Sequence, residues 1–153
     1  MPDCFISYSR HDERFAEFVR ATLVAQGVST FMASTSLKPG AHWSRSIREN
    51  LTASSWVLFL ASRAACHSAF VQQELGMALA GNKKLIPIVW DIPPSELPGW
   101  VSQTQALNIG GATGEEVRDR ILEIARRIKA DKIEGAIIAG ALLAGFVYVI
   151  TRK

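Results

Sequence analysis

One glutamate is placed where it could perform chemistry. Glu74 lies in the stretch Ser68–Leu79, whose apolar residues recur at helical spacing, three residues after Val71 and four after Phe70. At that spacing its carboxylate lies on or beside the apolar face of a helix. Because an unpaired buried charge is costly, the group either reaches solvent at the boundary of the helix or serves as a functional acid at the lip of a cleft.

Other residues with metal or redox chemistry are few and scattered. Cys4 and Cys66 are the only cysteines, and neither has metal-ligand spacing with His11, His42 or His67. We therefore predict no metal site and reduced thiols in a cytosolic compartment. The net charge of +3 is mild and the basic residues form no stripe interleaved with aromatics, which argues against nucleic-acid binding.

Strand-like and helix-like segments alternate along the chain. Five β-rich runs are predicted as strands: Cys4–Tyr8, Val28–Met32, Trp56–Leu60, Lys84–Val89 and Ala106–Ile109. Apolar residues at helical spacing predict helices over Phe15–Val24, Trp43–Leu51, Phe70–Leu79 and Val117–Ile128. This alternation predicts a parallel sheet with helices on both faces. Ligands of such sheets bind beyond the carboxyl ends of the strands, where Ser9–Arg10, residues 33–43 and residues 62–70 emerge.

Several segments, in order, resemble the TIR (Toll/interleukin-1 receptor) domain family. Cys4–Asp12 is similar to its first box, Leu37–Trp43 to its BB loop, Ser68–Glu74 to the box with the catalytic glutamate, and Leu85–Val89 to its fourth strand. Ordered boxes at the right separations are far more specific than one motif. The resemblance runs from about residue 3 to 128 and implies a flavodoxin-like TIR fold with a five-stranded parallel sheet.

The resemblance implies an enzyme that cleaves the nicotinamide–ribose bond of NAD+, with NAD+ as substrate and no separate cofactor. Glu74 is then the catalytic acid, whose carboxylate orients the ribose and stabilises the oxocarbenium-like charge left by departing nicotinamide. The product is ADP-ribose or a cyclised relative. The nucleotide-contacting positions implied by the resemblance are Ser9, Arg10, Ser34, Trp43 and Phe70.

Plainer roles exist for some of these residues, and the sequence departs from the family at two points. Arg10 could be a solvated loop residue, whereas Trp43 and Phe70 could simply pack in the core. Ala33 stands where the family commonly has Asp, and Phe70-Val71 stands where it often has Trp-Cys. These departures weaken the expectation of full turnover but retain the acid.

The C-terminal segment Gly135–Ile150 contains no charged residue. We predict a membrane-spanning helix over residues 135–151, although it is slightly short of the usual ~20 residues. The domain organisation is then a TIR domain at 1–130 and an anchor at 131–153. Four basic residues precede the span (Arg126, Arg127, Lys129 and Lys132) and two follow it (Arg152 and Lys153), which predicts a single pass with the TIR domain in the cytoplasm.

Self-association is predicted through two surfaces. The resemblance implies that the BB loop, Ser36–Trp43, meets a neighbouring domain to complete the active site. In the anchor, Ala136, Gly140 and Ala144 recur at four-residue steps, a spacing that lets helices approach closely in lipid. Confinement to a membrane raises the effective concentration of the domains. We also expect the last helix to continue into the anchor through Ala130–Glu134.

Three functions are compatible with these features. The first is a membrane-tethered NAD+ glycohydrolase or cyclase, and its small size resembles bacterial effectors of antiviral defence or cell suicide. The second is a non-enzymatic adaptor that assembles with other TIR domains at a membrane. The third is an effector whose clustered anchor perturbs the bilayer. Glu74 favours the first, and nicotinamide release separates it from the others.

Overall fold

The computed structural model describes the backbone of residues 1–32 and 43–151, and all side chains in these ranges except those at 43, 44, 100 and 138–151. Five parallel strands form one sheet in the order β2-β1-β3-β4-β5. They are β1 (Cys4–Ser7), β2 (Thr30–Met32), β3 (Trp56–Leu60), β4 (Lys84–Val89) and β5 (Leu107–Asn108). The predicted α/β architecture with a five-stranded parallel sheet is therefore confirmed.

Helices cover both faces of the sheet. They are α1 (Glu13–Ala25), α2 (Trp43–Ala53), α3 (Arg63–Cys66), α4 (Ala69–Ala80) and α5 (Gly114–Thr151). Short 3-10 helices span Arg10–Asp12, Pro94–Glu96 and Gly99–Gln103. Helices α1 and α5 pack together on one face, whereas α2 and α4 contact each other on the opposite face.

The alternation of side chains along β1 divides the core between these two faces. Cys4, Ile6 and Tyr8 pack with the apolar residues of α1 and α5. Phe5 packs instead with the apolar residues of α2 and α4. Because successive side chains of a strand point to opposite faces, Ser7 lies on the same side as Phe5, which is the side of α4.

The buried stripes of two helices are narrower than the sequence predicts. In α1, Phe18 and Val24 were expected inside but are 37% and 47% exposed. In α4, Leu79 was expected on the apolar face and is 53% exposed. A helix laid on a sheet buries only the side chains on its contact line, so residues at the flanks of the stripe stay in water.

Helix α5 begins at Gly114, three residues before the predicted Val117, and follows a turn at Gly110–Gly111. Gly111 has φ +75° and forms a turn, and a reciprocal capping pair then starts the helix. Thr113 N–H donates to Glu116 Oε2 at 2.8 Å, and Glu116 N–H donates to Thr113 Oγ1 at 3.2 Å. This capping box satisfies backbone donors that the first turn leaves free.

The backbone of α5 continues without interruption to Thr151, through the predicted junction at Ala130–Glu134 and through the predicted domain boundary. The expected continuity of the last helix is confirmed. Within the described residues, no helix combines the length and apolar character that a bilayer crossing requires. The side chains at 138–151 of the predicted span lie outside that description.

Candidate functional site

Glu74 is buried and bonded to a serine at the carboxyl end of β1. Its side chain is 4% exposed, and its Oε2 accepts a 2.7 Å hydrogen bond from Ser7 Oγ. Ser7 is the last residue of β1 and is fully buried. The structure therefore places this carboxyl group at the edge of the sheet where ligands of parallel α/β folds bind.

Local sequence explains how α4 presents Glu74 to Ser7. Ser68 caps the helix, because its Oγ accepts a hydrogen bond from Val71 N–H at 3.4 Å. Val71, Leu75 and Ala78 then form the buried face of α4, and Glu74 shares that face. The carboxylate is thus carried inward by the same residues that anchor the helix to the sheet.

Burial changes the protonation of this site. Desolvation raises the pKa of Glu74 to about 7, while the hydrogen bond from Ser7 opposes the rise. Near neutral pH the side chain therefore exchanges between its acid and its carboxylate. Neighbouring Tyr8 is 2% exposed, and burial together with nearby carboxylates raises its pKa to about 12, so its phenol stays neutral.

The loop after β1 holds two of the predicted nucleotide contacts in different environments. Ser9 is only 6% exposed, and its Oγ accepts from His11 N–H at 3.4 Å as it caps the 3-10 helix. Arg10 is exposed at the same edge. Ser9 thus shapes the loop backbone, whereas the guanidinium of Arg10 is accessible to an anionic ligand.

The remaining predicted contacts are only partly described. Phe70 lies in the first turn of α4, one turn before Glu74, and is 40% exposed, so it is not a core residue. Trp43 is the first residue of α2, but its side chain lies outside the described residues. Ser34 and residues 36–42 of the predicted BB loop also lie outside the described residues. They follow β2 in the chain, and its last residue, Met32, pairs with Ile6 next to Ser7.

One departure from the family pattern lies away from the site. Val71 is fully buried in a cluster with Phe59 and Leu75. The residue at this position therefore belongs to the core under α4. Its identity bears on packing rather than on contact with a nucleotide.

A second polar group at the same edge of the sheet was missed in the sequence. Ser62 Oγ donates a short hydrogen bond to Asp12 Oδ2 and also accepts from Ala65 N–H at 3.0 Å, which caps α3. Asp91, just after β4, accepts from Arg63 N–H at 2.9 Å. Burial and nearby Asp91 raise the pKa of Asp12. These bonds tie the loops after β1, β3 and β4 to one another.

Of the missed residues, Ser7 had a detectable signal. It alternates with Ile6 and shares the face of Phe5, and a parallel sheet places the α4 helix on one such face. A small polar residue on a buried strand face needs a partner. The bond between Asp12 and Ser62 was harder to predict, because a capping residue in a loop usually bonds its own helix. Among the described side chains, no group of three or more His, Cys, Asp or Glu residues could hold a metal ion.

The chain is similar to known proteins in sequence profile and in fold. The profile of the family described as TIR domain matches residues 4–122, which is most of the chain. No curated protein sequence matches it. The TIR domain of the Toll-related receptor TRR-2 from Hydra magnipapillata has a TM-score of 0.67 at 19% identity, covering 84% of this chain and 99% of that one.

Two further solved structures show the same fold. The TIR domains of the activated Roq1 resistosome, which directly recognises the pathogen effector XopQ, give a TM-score of 0.66 at 18% identity, covering 84% of this chain and 99% of theirs. A TIR-STING receptor from C. gigas gives 0.63 at 20% identity, covering 82% of this chain and 40% of that one. At these identities the likeness concerns the fold.

Proposed function

Because this chain belongs to the TIR domain family, we propose that it cleaves the nicotinamide–ribose bond of NAD+ with Glu74 as its catalytic carboxylate. The observation that supports this proposal is the position of Glu74. It is a nearly inaccessible carboxyl group at the carboxyl edge of a parallel sheet, held by one serine. A carboxylate that served only solubility would not be carried into the protein at this cost.

To cleave this bond, the protein mainly has to stabilise the charge that develops on the ribose and to orient the sugar. As the bond between ribose C1′ and the nicotinamide nitrogen breaks, its electron pair neutralises the pyridinium ring and C1′ becomes positively charged. The ionised Glu74 stabilises that charge and orients the ribose hydroxyls until water or a ribose hydroxyl attacks C1′. Since the carboxylate form is required, cleavage should rise with pH around 7, where Glu74 ionises.

The experiment is nicotinamide release from NAD+ by the full chain in detergent micelles or vesicles at high protein density. Glu74→Gln keeps the shape and a partner for Ser7 but cannot stabilise a cation, so release should fall on the order of 10²–10³-fold. Glu123→Gln, an exposed substitution with the same charge change, is the matched control and should retain activity. If wild-type and Glu74→Gln proteins are equally inactive when clustered, the non-enzymatic adaptor is the better function.

The proposal includes attachment to a membrane by residues 135–151, with the TIR domain in the cytoplasm, where NAD+ is available. It is supported by the uncharged run Gly135–Ile150 and by the uninterrupted backbone of α5. Carbonate extraction of membranes from expressing cells is the test. Protein that remains in the pellet supports an integral anchor, and release into the supernatant contradicts it.

Self-association completes the proposed mechanism, with the BB loop Ser36–Trp43 meeting a neighbouring domain. Clustered copies deplete NAD+ and stop growth, as in antiviral defence or cell suicide. Induced expression should lower cellular NAD+ in the wild type and not in the Glu74→Gln variant. Growth arrest by both proteins without NAD+ loss would favour damage to the bilayer by the anchor.

A further inference from the structure

At the sheet edge opposite Glu74, two consecutive residues of α5 contact the first residues of β3 and β4 and Asp3, which precedes β1. Asp131 accepts from Trp56 Nε1–H at 3.0 Å and from Lys84 Nζ at 2.5 Å, and Lys84 lies 5.2 Å from the centre of the Trp56 ring. Lys132 Nζ lies 3.2 Å from Asp3 Oδ1. We call these contacts the Asp131 clamp. They hold α5 at the point where it leaves the domain.

Beyond the clamp, α5 presents isoleucines on the side turned away from the sheet. Ile128 is 2% exposed against the core, whereas Ile133 and Ile137 are 60% and 66% exposed. At 100° per residue, they lie about 140° and about 180° around the helix axis from Ile128. We call Ile133 and Ile137 the outward face. A second helix can approach this outward face without contacting the domain that carries α5.

The spacing along this face is that of two helices wound around each other. Ala130, Ile133 and Ile137 follow one another at steps of three and four residues, while Asp131, Lys132 and Glu134 carry the charges of the same turns. The same steps lead on to Gly140, Ala144 and Val147 within the uncharged run Gly135–Ile150. A heptad seam is typical of helices that pack in pairs.

Charged residues beside the seam indicate that the partner is an identical helix running in the same direction. With Ala130 and Ile137 at a positions, Lys129 occupies g and Glu134 occupies the following e position. In a parallel pair, Lys129 of each copy meets Glu134 of the other, whereas an antiparallel pair sets lysine against lysine. Both side chains are exposed.

From these observations we infer that two copies of this chain pair in parallel through the outward face of α5, and that the Asp131 clamp fixes the orientation of each domain in the pair. The inference deepens the proposed self-association, because it extends the predicted contact between anchors to Ile133 and Ile137 and gives that contact a direction. Pairing of the two α5 helices would then determine how the two sheets, and the sheet edges that carry Glu74, face one another.

Cysteine cross-linking of the full chain in vesicles tests the pairing. In a Cys66→Ser background, with Cys4 buried, Ile133→Cys and Ile137→Cys should form disulfide-linked dimers at least tenfold faster than Gly135→Cys. Gly135 is an exposed control on the opposite side of the helix, and a Cβ there meets no atom within 4 Å. Equal rates at the three positions would indicate lipid contact only and overturn the inference.

A charge exchange tests the direction of the pair. Lys129→Glu and Glu134→Lys should each slow cross-linking at Ile133→Cys, because each places like charges across the seam. The double exchange should restore the original rate. Failure of the double variant to recover contradicts the parallel register, whatever the single variants do.

The clamp is tested by distance distributions between spin labels at Arg48→Cys on α2 of the two copies. Asp131→Ala with Lys132→Ala should leave tail cross-linking intact and broaden the distribution of distances between domains. An unchanged width overturns the part assigned to the clamp. None of these measurements uses NAD+, and all are repeated with Glu74→Gln, so they succeed or fail independently of the proposed activity.

Discussion

At the scale of single residues, Glu74 makes the free energy of unfolding depend on pH. In the unfolded chain its pKa is near the ordinary glutamate value of 4.5, and burial raises the pKa in the folded chain to about 7. Between these values the folded chain holds a proton that the unfolded chain has released. By linkage, the free energy of unfolding must fall as the pH rises through this window and level off above it.

Glu74→Gln should remove this dependence. Relative to the variant, the wild type should lose up to roughly 3 kcal/mol of unfolding free energy between pH 4.5 and 7. Urea unfolding of both proteins across pH 4.5–8 measures the difference, in which contributions from other groups cancel. Parallel curves for the two proteins would show that the carboxyl group is hydrated and contradict the burial of Glu74.

Ser7 should act on Glu74 through its hydroxyl. Because the hydrogen bond from Ser7 lowers the pKa of the carboxyl group, Ser7→Ala should raise the pKa further. Titration of the Glu74 carboxyl carbon by NMR measures the shift. Ser54→Ala is the control, since Ser54 is equally buried but donates to Asn50 O. A shift of the same size in both variants would assign the effect to general loosening.

The sequence located Glu74 but not the serine that holds it. Glu74 could be found because its own helix shows an apolar stripe and because the resemblance marks its position. Ser7 could be recognised only as a small polar residue on a buried strand face, and its partner could not be identified, because that partner lies 67 positions away. Pairing between distant residues depends on the sheet order and register, which the period of one strand does not specify.

At the scale of elements, the position of a residue on its helix decides what it contributes. Leu75 and Leu79 are four residues apart in α4, and the sequence assigns both to the apolar face. In the structure Leu75 is 1% exposed and packs with Phe59 and Val89, whereas Leu79 is 53% exposed. Helical period alone predicts which residues are neighbours on a helix but not where the sheet stops covering them.

Leu75→Ala and Leu79→Ala should therefore differ in cost. Leu75→Ala leaves a cavity between α4 and the sheet and should lower the free energy of unfolding by about 2–5 kcal/mol. Leu79→Ala should change it by less than about 0.5 kcal/mol. Chemical denaturation of the two variants provides the comparison. Similar losses would mean that Leu79 is covered in solution, as by a second copy of the chain.

At the scale of the whole molecule, the candidate site and the Asp131 clamp lie at opposite ends of the strands. Ser7 and Glu74 lie at the carboxyl ends of the strands, whereas Trp56 and Lys84 of the clamp are the first residues of β3 and β4. Trp56 pairs with Cys4 in register, three residues before Ser7. That separation along the strands is about 10 Å. We therefore expect changes at the clamp to leave the carboxyl group undisturbed.

Ser7→Ala and Asp131→Ala should consequently act independently. Asp131→Ala removes the acceptor of Trp56 and Lys84 and should cost about 1 kcal/mol or less, because the site is partly hydrated. The unfolding free energies lost in the two single variants should add in the double variant within about 0.5 kcal/mol, and Asp131→Ala should leave the Glu74 titration unchanged. A departure from additivity above about 1 kcal/mol would mean that the sheet transmits strain from the Asp131 clamp to Ser7 and Glu74. In that case pairing of the α5 helices could act on Glu74 through the sheet, and not only through the orientation of the two domains.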